Sequence, residues 1–214
     1  MPTGARGYLS PMSITLVIIA VTVVVSMAAL NNMALFSRLL FQPFIIHEQR
    51  DWYRFITHGF VHGGMLHLLV NMYVLWMFGT AVEQAYAQIT GSSPWLPYLV
   101  LYLGGIVLSS LPGYYKHRHD PAYRAVGASG ATSAVVFSFI LLHPDTKLML
   151  IFLPIPLAAW IFGGLYLAYE WYMSKRGGDG IAHDAHYFGA LYGIAFTAVL
   201  APGSVPRFFN LVGL

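Results

Sequence analysis

Three stretches of this 214-residue chain carry residue types that could do chemistry. The first holds His58, His62, His67 and Asn71, the second is Gly127-Ala128-Ser129-Gly130, and the third is Ala182-His183-Asp184-Ala185-His186 with Gly189 and Gly193 behind it. A serine hydroxyl is a weak nucleophile until a base takes its proton, and neutral imidazole is the usual base. His67 and Asn71 are four apart, so on a helix they share one face, and both can donate N–H to a developing oxyanion. The set suits acyl transfer, with Ser129 as nucleophile and a histidine of the third stretch as base. Gly189 and Gly193 lie at i+3 and i+7 from His186, a small-residue stripe on about the same face. Such a stripe lets one helix press on another and bring His186 to Ser129, which favours His186 over its rival His183. Asp184, two residues from His186, points elsewhere on a helix and is not expected to orient it.

Composition says what must position these groups. Hydrophobic residues make up 57% of the chain and charged residues only 9%, with no cysteine and a formal net charge of +3. Soluble domains carry about 25% charged residues, so this is expected to be an integral membrane protein. The absent thiols exclude a cysteine nucleophile, an iron–sulfur cluster and a thiolate zinc site. The small, dispersed charge argues against nucleic acid as a partner. A membrane helix needs about 20 apolar residues. Six windows between charges approach this: Pro11–Asn31, Gly59–Val82, Trp95–Pro112, Gly127–Leu142, Leu148–Ala168 and Tyr187–Ala201. The weakly basic start Met1–Ser13 resembles a signal peptide, but the apolar run after it is longer than a signal core and reads as a retained helix. The chain thus reads as one all-α domain over residues 1–214, with Asn31–Thr57 as a partly structured interfacial segment. Ser174–Asp184, with Gly177, Gly178 and Gly180, reads as a candidate lid, and Pro154 and Pro156 as a bend in the fifth helix.

Alternate spans run in the same direction, so the second, fourth and sixth start on one membrane face. That brings Ser129, His186, His67 and Asn71 toward one level, and ionisable groups at membrane depth mark function by default. Each feature has a plainer reading alone. Gly-Ala-Ser-Gly is common where membrane helices pack, His58 and His62 suit an interface, and Asn71 suits a helix–helix hydrogen bond. Two rival functions are a metal- or haem-binding protein using His58, His62 and His67, and a non-catalytic binding or chaperone protein. Lys and Arg counts put eight basic residues on the face where those spans start, against Arg6, Lys147 and Arg207 on the other, so charge alone predicts that face to be cytoplasmic.

The spacings His58-x3-His62-x4-His67-x3-Asn71, Gly127-Ala128-Ser129-Gly130 and Ala185-His186-x2-Gly189-x3-Gly193 resemble those of the rhomboid intramembrane serine proteases, in family order, over about Arg50 to Leu200. The resemblance implies a six-transmembrane-helix bundle, no cofactor or metal, transmembrane proteins as substrates, and a multi-pass location in a cell membrane, with a bacterial inner membrane expected. It implies an N-terminus inside and a site opening outward, opposite to the charge count. It implies a Ser129–His186 dyad without an acid, and an oxyanion hole from His67, Asn71 and the Ser129 backbone. His58 and Arg54 would structure the loop after the first helix, His62 would line the cavity, and Gly127, Gly130, Gly189 and Gly193 would serve close packing. Two positions depart from the pattern. Tyr53 stands beside Arg54 where Trp is frequent, and Ser133 stands where some members stack an aromatic on the histidine, leaving open what orients His186.

Overall fold

The computed structural model describes residues 12–150 and 153–213; most of the basic N-terminal stretch lies outside them. The fold is mostly helical. Helix α1 (Ile14–Leu30) runs antiparallel to α5 (Met65–Thr90), and short helices α2 (Met33–Leu39), α3 (Pro43–Gln49) and α4 (Arg54–Thr57) join them. The segment Asn31–Thr57 is therefore structured in short helical pieces, as its apolar patches suggest. Then follow α6 (Trp95–His117), α7 (Ser129–Leu142), α8 (Ala159–Arg176), α9 (His183–Leu200) and α10 (Ser204–Val212). By length and composition α5 and α6 can cross a bilayer, and α9 with α10 passes only as a pair bent by 114°. Helices α1 and α7 are shorter and apolar.

Two expectations are corrected. The window Leu148–Ala168 is not one helix. Lys147–Leu150 (β1) and Leu153–Ala158 (β2) form an antiparallel hairpin, and helix starts only at Ala159. Pro154 and Pro156 lack the N–H a helix interior needs, so they sit in a strand and do not bend a helix. The fold is thus not strictly all-α. The second window also ended too early, at Val82. Helix α5 carries Glu83 inside it, buried, and continues to Thr90, where Gly91 takes φ +61°. Glu83 is tolerated because it caps α1. Its carboxylate accepts from Ser13 Oγ (2.6 Å), the Ile14 and Thr15 N–H groups (2.9 and 3.2 Å) and Thr15 Oγ1 (2.8 Å). First-turn N–H groups have no partner within their own helix, and a negative charge there is favourable.

Helix α7 is the centre of the bundle, buried nearly all round, as a helix apolar on every face must be. Its 14 residues reach only about 21 Å, less than the roughly 30 Å of hydrocarbon. Small residues let its neighbours close on it. A Cβ on Gly189 would run into the Gly130 carbonyl, and one on Gly193 into that of Ala134. One on Gly105 of α6 would lie 2.9 Å from the Ala131 Cα. At the far end, Thr197 Oγ1 lies 2.7 Å from Tyr86 Oη and donates to Ser138 Oγ (2.8 Å), which bonds the Gly193 carbonyl. That network locks α5, α7 and α9 together with every member paired.

Candidate active site

Ser129 is the first residue of α7, directly after a tight approach that only glycine permits. Gly127 has φ +115°, and a Cβ there would lie 2.6 Å from His67 Cε1. The His67 ring therefore packs on the backbone two residues before the serine. The loop leading to Ser129 is tied down on both sides. Phe41 and Ala125 exchange backbone hydrogen bonds of 2.9 Å, and the Gly127 N–H donates to the His58 carbonyl (3.0 Å).

Two of the histidines are engaged at both ring nitrogens. His58 donates from Nδ1 to the Arg54 carbonyl (2.8 Å) and its Nε2 faces Ser110 Oγ at 3.1 Å. Burial holds its pKa down at about 4, so it is neutral. His62, fully buried, meets Ser26 Oγ at 2.9 Å through Nδ1 and accepts the Ala128 N–H at 3.4 Å through Nε2. Neither is free to bind a metal, which removes support from the histidine-metal reading. Arg54 is buried and donates to the carbonyls of Ser37 (2.9 Å) and Leu40 (3.0 Å) and to Asp51 (3.1 Å), fastening α2 to α4.

Ser129, His186, His67 and Asn71 all line one open cavity of about 1480 Å³. Asn71 is buried. Its amide donates once to the His67 carbonyl (3.0 Å), which leaves a second N–H, and its Oδ1 accepts from Thr132 (3.3 Å). Among the described residues no hydrogen bond joins Ser129 Oγ to His186. Such bonds are often long in unliganded enzymes and tighten with substrate. A separate cavity of about 30 Å³, lined by Ser129, Ser109, His58 and Asp184 among others, has room for one water.

The third stretch meets a residue of another helix that the sequence did not single out. Glu170 of α8 is buried, with Oε1 3.1 Å from His186 Nδ1 and Oε2 2.6 Å from His183 Nδ1. The other His183 nitrogen lies 2.9 Å from Asp179 Oδ2, and that contact holds the Asp179 carboxyl below its usual range. His183 thus has both nitrogens occupied, whereas His186 Nε2 has no hydrogen-bond partner among the described residues. Asp184 bonds the Ala185 N–H (2.9 Å) and does not reach His186. Glu170, His183 and His186 are also the one group among the described residues whose donors could converge on a metal ion. The available signal was that Glu170 is the sole acidic residue between Asp145 and Asp179. At the departure Ser133, the hydroxyl lies 3.0 Å from Tyr166 Oη of α8.

A bundle of apolar helices around a cavity that Ser129, His186, His67 and Asn71 line defines a helical membrane protein. The Rhomboid domain matches residues 49–203, and the chain belongs to the rhomboid family. It is similar to presenilin-associated rhomboid-like protein A, mitochondrial, of Danio rerio, with 29% identity over 65% of this chain and 35% of that protein. It is similar to RHOMBOID-like protein 12, mitochondrial, of Arabidopsis thaliana (27% identity, 63% of this chain, 42% of that one). It is also similar to rhomboid protein 1, mitochondrial, of Saccharomyces cerevisiae (32% identity, 50% and 30%). The chain spans about a third of the length of these curated relatives. Their names are mitochondrial, against the bacterial inner membrane expected from the sequence; the membrane location itself holds.

Proposed function

We propose that the chain is an intramembrane serine endopeptidase with six membrane spans, α1, α5, α6, α7, α8 and α9, that cuts transmembrane segments of other membrane proteins. The observation that carries this reading is the single cavity shared by Ser129, His186, His67 and Asn71, with α7 and α9 in backbone contact beside it. His186 Nε2 takes the Ser129 proton as Oγ attacks the scissile carbonyl. The oxyanion meets N–H donors from His67, Asn71 and the Ser129 backbone. His186 then gives the proton to the leaving amine, and water attacks the acyl ester by the reverse path. Because α7 is short, Ser129 lies below the surface, and substrate must present extended backbone there. Cut segments should therefore contain helix breakers and a small residue at the scissile bond.

The test is a purified wild-type protein compared with Ser129→Ala on one transmembrane substrate, alongside labelling with a fluorophosphonate in the presence of a chelator. Cleavage and labelling by wild type alone are expected. Folded wild-type protein that neither labels nor cleaves overturns the reading in favour of a binding or chaperone role.

A further inference from the structure

We propose that Glu170 is the positioning residue for His186, so that Ser129, His186 and Glu170 act as a three-membered set, with His183 held as an imidazolium beside the carboxylate. This rests on the reading of Ser129 and His186 given above and answers what orients the base when no aromatic follows the serine at position 133.

Chemistry requires that Glu170 have partners. A buried carboxylate is tolerated only when paired and hydrogen-bonded, and Glu170 is only 4% exposed. Its two oxygens meet two imidazoles, His183 at 2.6 Å and His186 at 3.1 Å. His183 faces carboxylate oxygens at both ring nitrogens, Glu170 at one and Asp179 at the other. Carboxylate oxygens only accept, so both nitrogens carry hydrogen and the ring is cationic. That cation stabilises Glu170 as an anion inside the bundle. The anion in turn takes the His186 Nδ1–H, which fixes the tautomer and leaves the Nε2 lone pair facing the cavity. When His186 accepts the serine proton, the new positive charge forms against Glu170. The helices supply the placement. Glu170 stands in the last two turns of α8, His183 and His186 in the first turn of α9, and the two helices are joined by 177–182. The same three side chains could be thought to gather a cation, but His183 would have to give up its proton and a carboxylate bond to do so.

The test uses full-length protein with Glu170→Gln and Glu170→Asp, measuring kcat, KM, fluorophosphonate labelling rate and melting temperature. Loss of a tautomer-fixing carboxylate in serine proteases reaches about 10⁴ in kcat. For Glu170→Gln we expect kcat and labelling to fall by about 10²–10⁴ with KM within about twofold. Glu170→Asp keeps the charge and should regain at least tenfold of that loss. A merely structural clamp would lower the melting temperature and leave the kcat of the surviving folded fraction unchanged. Glu170→Gln with wild-type kcat overturns the proposal alone, as does a Glu170→Asp no better than Glu170→Gln. If Glu170→Gln does not fold, Glu170→Asp decides: a folded protein with wild-type KM and a kcat lowered by about 10- to 10³-fold supports it, and a wild-type kcat or a greater loss overturns it. Wild type that neither labels nor cleaves overturns the proposed function and this with it.

Discussion

The contact between α9 and α7 makes Gly189→Ala a sharp perturbation. The added Cβ would lie 2.9 Å from the Gly130 carbonyl carbon and 3.0 Å from its Cα, and closer still to the oxygen. Carbon atoms rest at about 3.5–4.0 Å, so the two backbones must part by roughly 0.5–1 Å. Both sides are helix backbone, with no flexible side chain to yield. The shift acts on Gly130, the residue after Ser129, while His186 lies one turn from Gly189 on the other helix. Serine and base therefore separate by most of the displacement. A misplacement of about 1 Å can cost about 10²-fold in rate, equivalent to roughly 2.7 kcal/mol of activation free energy. Overpacking should also cost about 1–3 kcal/mol of stability. The assay is kcat on a transmembrane substrate together with the thermal midpoint in detergent. A folded Gly189→Ala protein within threefold of wild-type kcat refutes the claim that this contact sets the distance between nucleophile and base.

Ser129→Ala and His186→Ala should each abolish cleavage, with the double variant no worse; His67→Ala and Asn71→Ala should each lower kcat by about 10²–10³, read on the same substrate. Cleavage by His186→Ala with loss in His183→Ala would show the base to be misassigned. Glu83→Ala leaves the first turn of α1 without its acceptor and should lower stability by about 1–3 kcal/mol; an unchanged unfolding midpoint would show the cap to be idle. His58 has a folded pKa of about 4 against 6.5 for the free side chain. Between those values the unfolded chain binds a proton that the folded one refuses, so stability is full above about pH 6.5 and falls toward pH 4. His58→Gln should flatten that part of a melting-temperature profile, and an equally steep profile would contradict the assignment.

The polar set was legible because its residues sit at fixed offsets on three apolar windows whose alternation brings their starts together. Ser129, His186, His67 and Asn71 do share one cavity, and the glycine stripe does face α7. What escaped were the carboxylates. Where charges delimit the apolar windows, Glu83 and Glu170 necessarily fall outside them. Each is buried because its partner comes from elsewhere in the chain: the start of α1, 68 to 70 residues away, for Glu83, and the start of α9 for Glu170. Hydropathy cannot tell an apolar hairpin from an apolar helix either, and in Leu148–Ala168 only the two prolines signalled the strand.

The cap that Glu83 places on α1 bears on how the protein is made. Helix α1 leaves the ribosome before α5, and in lipid its Ile14 and Thr15 N–H groups wait for the carboxylate that the far end of α5 brings. Glu83 in turn would enter the bilayer as an unpaired charge were α1 not already waiting for it. Each segment is poorly suited to the membrane alone and well suited to it beside the other. Their insertion is therefore a paired event, in which the second hairpin arm completes the first before Ser129 of α7 has been synthesised.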